Sequence, residues 1–326
     1  MGDVNGVGPE IIARAFSHAS LFDACAPIVF GSAAVLEAVR LIVPGSLPHS
    51  VVSSPAEIGD VPSNVIPVYE GGVTCPTYAP GVLDADVGRA AMTWFEQAID
   101  FAMAGEIDGI VTCPIHKEGI HRAGCDVQGH TDFIARRTGT ASYRMCIFTE
   151  RLRVIHLSEH VALAKALGLI TKDRIVETIR MTNDLLVRLN TPERRIAVAG
   201  LNPHAGEAGA FGREEIETIG PALEAARGEG IDCTGPHSPD SVFRQALEGA
   251  YDAVIAMYHD QGHIPMKLVA MDEGVNVTLG LPIVRTSVDH GTAYDIAGKN
   301  LAREDSLLAA IRIAGQLAGS REGVSH

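Results

Sequence analysis

Three histidines follow short apolar runs and stand in polar, glycine- and proline-rich surroundings. They are His160 in Leu157-Ser158-Glu159-His160, His204 in Leu201-Asn202-Pro203-His204-Ala205-Gly206-Glu207, and His259 in Met257-Tyr258-His259-Asp260-Gln261-Gly262. They are too far apart in the chain to form a short metal motif. Loops at the C-terminal ends of parallel strands converge, however, and three neutral imidazoles there could bind a divalent ion and leave positions open for a substrate. The alternative is three separate loop histidines, each with its own hydrogen bonds. Spacing alone does not choose between the two. Glu159, Glu207 and Asp260 are candidates for orienting the rings, or are plain surface charge.

Other residues point to an anion. Gly129-His130-Thr131-Asp132 opens a helical stretch, where free backbone N–H groups suit a phosphate; Thr131 as a simple N-cap is the plainer reading. Lys267, Asn276 and Arg285 follow in one later stretch, and the fork of Arg285 matches a carboxylate or phosphate. The opening loop Gly6-Val7-Gly8-Pro9-Glu10 lacks the third glycine and the preceding strand of a dinucleotide fingerprint. The better nucleotide candidate is Asp289–Lys299, which offers Gly291 for close backbone approach, small polar groups and a helix start. A generic loop–helix junction is the alternative.

The elements that must carry these residues read as strand and helix in alternation. Ala26–Gly31, Asn64–Glu70, Gly109–Thr112, Arg144–Thr149, Arg153–Leu157, Arg195–Ala199 and Ala253–Met257 are the strand candidates. In Asp86–Ala104, Val87, Ala90, Ala91, Trp94, Ala98 and Phe101 fall on one helical face, and Gly105 ends the run. Further helices are expected at Ala33–Leu41, Ala162–Leu169, Asp173–Leu189, Arg213–Gly228 and Leu307–Leu317. The pattern implies an α/β fold with a largely parallel sheet.

Composition narrows the function classes. The chain has 326 residues and a formal net charge of −14, so a general nucleic-acid or anionic-membrane binder is not expected. No apolar run reaches bilayer length, and the start has neither a basic nor an apolar signal region. The six cysteines, Cys25, Cys75, Cys113, Cys125, Cys146 and Cys233, include no CxxC pair and are expected to be free thiols. A cytoplasmic enzyme acting on a small anion is the leading expectation.

Taken together, GDVNGVGPEI, GHTD, LNPHAGE, AMYHDQGHIPMK, GVNVTLGLPIVRTSVDHGTA and DIAGK resemble the 4-hydroxythreonine-4-phosphate dehydrogenase family of vitamin B6 synthesis. They are most similar to its paralogues acting on 4-phospho-D-threonate and 4-phospho-D-erythronate. The resemblance spans nearly the whole chain. HGTAYDIAGK is also similar to the nucleotide loop of isopropylmalate and isocitrate dehydrogenases. What it implies is a two-lobed α/β/α fold of that kind, with the active site in the crevice between lobes. The expected lobes are 1–125 plus 286–326 on the cofactor side and 126–285 on the metal and substrate side.

The resemblance also implies roles. His160, His204 and His259 fall on the family's metal ligands, with Zn, Co, Mn, Ni or Mg as the ion. His156 and His263 neighbour these positions without matching them. His130, Thr131, Lys267, Asn276 and Arg285 fall on substrate contacts. NAD or NADP is expected along His290, Gly291, Thr292, Ala293 and Asp295, rather than on the Gly6–Gly8 loop. A homodimer is implied in which one subunit lends a metal ligand to the other's site. The expected reaction is oxidation of a 4-phosphorylated 3-hydroxy acid to a 3-keto acid followed by decarboxylation, with Lys267, and second Asp260, as candidates for proton transfer. 4-Hydroxythreonine-4-phosphate itself is the alternative substrate, and a non-catalytic metal- or phosphate-binding relative the competing class. Terephthalate dihydrodiol oxidation ranks third, because the GHT segment is intact. Val4 and Asn5 depart from the family's opening motif.

Overall fold

The computed structural model describes residues 1–75, 78–269 and 274–319. The chain divides into two compact units, Met1–Ala141 with Leu281–Gly319, and a second that takes in Ser142–Gly280. The segment 126–141 and residues 281–285 thus fall in the first unit, on the other side of the division from the lobe assignment expected from the sequence.

In the first unit, Ile66–Tyr69 lies between Val29–Phe30 and His49–Val52, parallel to both. Gly109–Thr112 runs parallel to Val284–Val288, with Arg285 opposite Ile110 and Ser287 opposite Thr112. The helix Ala85–Met103 starts where Asp84 accepts the N–H of Asp86 and ends before Gly105, whose φ is +75°. It buries Val87, Ala90, Ala91, Trp94, Ala98 and Ile99, close to the stripe read from the sequence. Trp94 donates its indole N–H to the Glu70 carbonyl at 2.9 Å, so the largest apolar side chain is buried without a lost donor. The opening segment leads into the helix Gly8–Ala15, where Glu10 is fully buried. Its carboxylate accepts the backbone N–H groups of Gly298 and Asn300, tying the start of the chain to the DIAGK segment.

In the second unit the strand order is Val275–Leu279, Arg144–Phe148, Arg153–His156, Ala253–Ala256, Ile196–Ala199, Cys233–His237. The first two pairings are antiparallel and the rest parallel. The sheet is therefore mixed: a polar turn after Phe148 returns the chain beside itself, whereas the later strands cross over through helices such as Lys172–Arg188. All six cysteines are free thiols. No helix among the described residues is long and apolar enough to cross a membrane.

Close helix packing makes one test of this fold. A Cβ at Gly88 would lie 2.6 Å from the backbone of Gly119. Alanine favours a helix over glycine by about 1 kcal/mol, but overpacking against backbone costs roughly 1–3 kcal/mol. Gly88→Ala is expected to destabilise the protein in urea unfolding. A gain in stability would contradict this packing.

Candidate active site

The three motif histidines leave neighbouring strands of one sheet. His160 follows Arg153–His156, His259 follows Ala253–Ala256 and His204 follows Ile196–Ala199. These strands are adjacent and parallel, with Ile155 paired to Ile255 and Val198 paired to Ile255. Their C-terminal loops therefore emerge on one edge, His259 in the middle. The rings of His160 and His259 have centroids 5.5 Å apart. Two imidazoles bound to one ion at about 2.0–2.1 Å, at a tetrahedral angle, would have centroids roughly 5 Å apart. The pair fits a shared divalent ion. His204 is exposed, with its ring 6.3 Å from that of Phe211. Among the described residues no three His, Cys, Asp or Glu side chains form a metal-holding group.

Around His259 the imidazoles continue. His263 stacks on it at 4.3 Å and 16°, one helical turn later, and Lys267 follows a further turn along the helix His259–Val269. His156 is fully buried, 5.8 Å from His259 and 5.5 Å from His263. Burial, then the His263 charge, push it down to about 3, so it is neutral. Its Nε2 sits 2.7 Å from where a Cβ on Gly262 would be, and this explains a glycine inside a helix. Asp260 accepts from Nδ1 of His259 at 2.7 Å, which leaves Nε2 as the free nitrogen. Glu159 is engaged with the Met145 N–H at 2.6 Å.

His204 stands in an unusual conformation. His204, Ala205, Gly206, Glu207 and Ala208 all have positive φ, from 42° to 80°, and form a left-handed turn. The four non-glycine residues cost roughly 1–2 kcal/mol each. Such strain persists only where the surroundings over-determine it. Glu215, 4% exposed, accepts the N–H groups of Leu201 and Asn202 at 2.8 and 2.7 Å. Gln261 donates to the Gly200 carbonyl at 2.8 Å and accepts from the Met257 N–H at 2.7 Å. It joins the His204 loop to the His259 helix.

The anion candidates separate between units. Lys267 and Asn276 are in the second, and Asn276 Oδ1 is buried without a hydrogen bond. In the first unit Arg285 is 4% exposed, donating to Thr112 Oγ1 at 2.8 Å and weakly to Thr131 Oγ1 at 3.4 Å. Thr131 is thus a partner of Arg285, while the helix His130–Arg137 is preceded by Gly129 with no side-chain cap. The ring of His130 lies edge-on to Phe95 at 4.6 Å. Burial first, and the Arg285 guanidinium second, hold its imidazole well below the ordinary histidine range.

The nucleotide candidate and the opening loop form one structure. Val7 N–H donates to the Thr292 carbonyl at 3.0 Å, and a Cβ on Gly6 would lie 2.8 Å from that oxygen. Tyr294 donates to the buried Asp3 carboxylate at 2.7 Å and lies against the His116 ring at 4.9 Å. Burial raises the Asp3 carboxyl. Gly291, by contrast, has nothing within 4 Å of an added Cβ, and His290 and Asp295 are exposed. The opening glycines are filled by protein, and the face at Gly291 is open. Sequence reading assigned no role to Glu10, Thr112, Glu215, Gln261 or Tyr294. The motifs that contain Glu10, Gln261 and Tyr294 were visible, but their partners were not.

The His130 environment gives a direct check. The unfolded histidine binds its proton near pH 6.5, and the folded one only at lower pH, so acidification through that window costs stability. In an NMR titration His130 is expected to stay neutral at pH 6, and Arg285→Ala to move its titration upward. An unmoved His130 in that variant would contradict the contact.

Known proteins resemble the chain over nearly its whole length. A D-threonate 4-phosphate dehydrogenase of Pectobacterium atrosepticum is 43% identical over 98% of each chain. A 4-hydroxythreonine-4-phosphate dehydrogenase of Desulfosudis oleivorans is 46% identical over 96% of this chain and 93% of its own. The crystal structure of a 4-hydroxythreonine-4-phosphate dehydrogenase from Klebsiella pneumoniae superposes with a TM-score of 0.88 at 41% identity, covering 98% of this chain and 96% of that one. The family described as pyridoxal phosphate biosynthetic protein PdxA matches residues 23–314, and the chain belongs to that family.

Proposed function

We propose that this protein is a nicotinamide-dependent dehydrogenase that oxidises the 3-hydroxyl of 4-phospho-D-threonate or 4-phospho-D-erythronate. Oxidation of a CH–OH group follows from the dehydrogenases it is homologous to. The choice of substrate is carried by one observation: among the described residues, the two acids beside the imidazole cluster are already engaged. Asp260 is bonded to His259 and Glu159 to the Met145 N–H. An ammonium group on the substrate's C2 would find no uncommitted carboxylate among the described residues beside the imidazoles, at considerable cost. A hydroxyl there can bond to the imidazoles.

The phosphate is assigned to Arg285, with Thr131 and His130 beside it, and Asn276 and Lys267 complete the substrate contacts. The buried guanidinium of Arg285 and its hydroxyl neighbours suit an anion. NAD or NADP is assigned to His290, Gly291, Thr292, Ala293 and Asp295, on the open face at Gly291. That cofactor, when bound, supplies the hydride acceptor. The metal ligands are His160, His259 and His204, shared between two copies of the chain. A divalent ion held there supplies Lewis acidity that lowers the pKa of the substrate hydroxyl.

The remaining chemistry belongs to the substrate and the side chains. Loss of hydride from C3 to the nicotinamide and of the hydroxyl proton to water would leave a 3-keto acid. Its carboxylate is then β to a carbonyl, and the C–C bond breaks to give CO2. Lys267, on the same helix as His259, is assigned the proton that quenches the resulting carbanion. Asp260 orients His259 in this scheme. A homodimer is supported by exposed apolar side chains on two helices near the histidines: Leu163 and Leu167 on one, and Ile264 and Leu268, 59% and 82% exposed, on the other.

The test is kcat/KM for 4-phospho-D-threonate, 4-phospho-D-erythronate and 4-phosphohydroxy-L-threonine, with NAD or NADP and added divalent metal. A preference for the two acids on the order of tenfold or more is expected. A preference for 4-phosphohydroxy-L-threonine would return the chain to vitamin B6 synthesis.

A further inference from the structure

We infer that Glu215 is the positioning residue that locks the left-handed turn His204–Ala208 and thereby presents His204. The inference rests on the reading of His204 as a metal ligand. Glu215 lies within a wide, π-helical turn, Glu215–Ile219, and its carboxylate is buried. One oxygen accepts two consecutive backbone N–H groups, from Leu201 and Asn202. The other accepts Asn202 Nδ2 at 3.0 Å. Among the described residues the carboxylate shows no ion pair, so its bonding is spent on this loop.

The turn is shaped around that carboxylate. At Gly206, φ is +80° and an added Cβ would lie 2.7 Å from Glu215 Oε2. At Gly200 an added Cβ would lie 3.2 Å from Oε1. Both ends of the His204 segment thus close on Glu215. A left-handed run has no reason to persist in a free loop, because each L-residue in it is strained. A buried charge accepting N–H donors on the approach to the turn supplies that reason.

Glutamine separates the clamp from its bulk. It keeps the size of Glu215 and one acceptor oxygen. Its amide nitrogen would face Asn202 Nδ2, donor against donor. The experiment measures Co2+ affinity of the metal-free protein by competition with a chromophoric chelator, and backbone amide exchange without metal, for the unsubstituted protein, Glu215→Gln, Gly206→Ala and His204→Ala. Glu215→Gln is expected to bind Co2+ about 10–100-fold more weakly. Its amides from Leu201 to Glu207 should exchange faster, while those of Ile196–Ala199 and Ala253–Ala256 keep their protection. Gly206→Ala, which crowds the same oxygen, should act alike and serves if Glu215→Gln does not fold. Weak binding in His204→Ala with unchanged affinity and exchange in both other variants would overturn the clamp. Unchanged affinity in His204→Ala would overturn the ligand reading instead. The exchange data alone would then decide the clamp, with unaltered loop amides counting against it.

Discussion

Buried carboxylates that accept backbone N–H groups hold the loops of this protein in shape. Glu10 takes Gly298 and Asn300, Asp3 takes Asn5 and the Tyr294 hydroxyl, and Glu215 takes Leu201 and Asn202. Each is nearly inaccessible to water. A carboxylate in that position is costly unless its lone pairs are filled, and charge-assisted bonds are about twice as strong as neutral ones. The cost of leaving them unfilled makes each loop conformation obligatory. The Glu10 and Asp3 contacts fix the segment around Thr292, and Glu215 fixes the segment around His204.

This arrangement explains how an acidic chain can handle an anion. A net charge of −14 repels phosphate at long range, so attraction must be local. In the proposed function Arg285 provides it from a buried strand, flanked by threonine hydroxyls and by His130, whose imidazole burial first and the Arg285 charge second hold well below the ordinary histidine range. The histidine cluster works by the same logic. His156, His259 and His263 crowd together, and burial first, with the His263 charge beside it, pushes the His156 imidazole down to about 3. Asp260 on Nδ1 of His259 leaves the other nitrogen outward.

Much of the scaffold was legible because it is written in local periodicity. The apolar stripe from Val87 to Ala98 gives the helix Ala85–Met103, and short runs such as Ile196–Ala199 and Ala253–Ala256 are strands. The motif histidines were legible as loop residues after strands, and adjacent parallel pairing gives that placement its meaning. The remainder depends on partners distant in sequence. Glu10 reaches residues 298 and 300, and Thr112 reaches Arg285; no spacing rule links them. The left-handed turn at His204 was hidden because alanine and glutamate rarely adopt it; of its five residues only Gly206 signals a turn. Strands Val275–Leu279 and Val284–Val288 lie inside the GVNVTLGLPIVRTSVDHGTA motif, whose polar residues interrupt the apolar run of a strand. The antiparallel pairing of Arg144–Phe148 follows from a turn whose length was visible but whose direction was not.

Glu10 offers the most direct test, because its carboxylate links the opening helix to the DIAGK segment. The measurement is backbone amide exchange at Gly298 and Asn300 in Glu10→Gln, with NAD binding measured on the same protein. Losing one charge-assisted bond, worth about 1.5–3 kcal/mol, should speed exchange at these amides by roughly tenfold or more and weaken NAD binding while the sheet amides stay protected. Unchanged exchange at both amides and unchanged NAD affinity would contradict the claim that buried carboxylates shape the loops of this site.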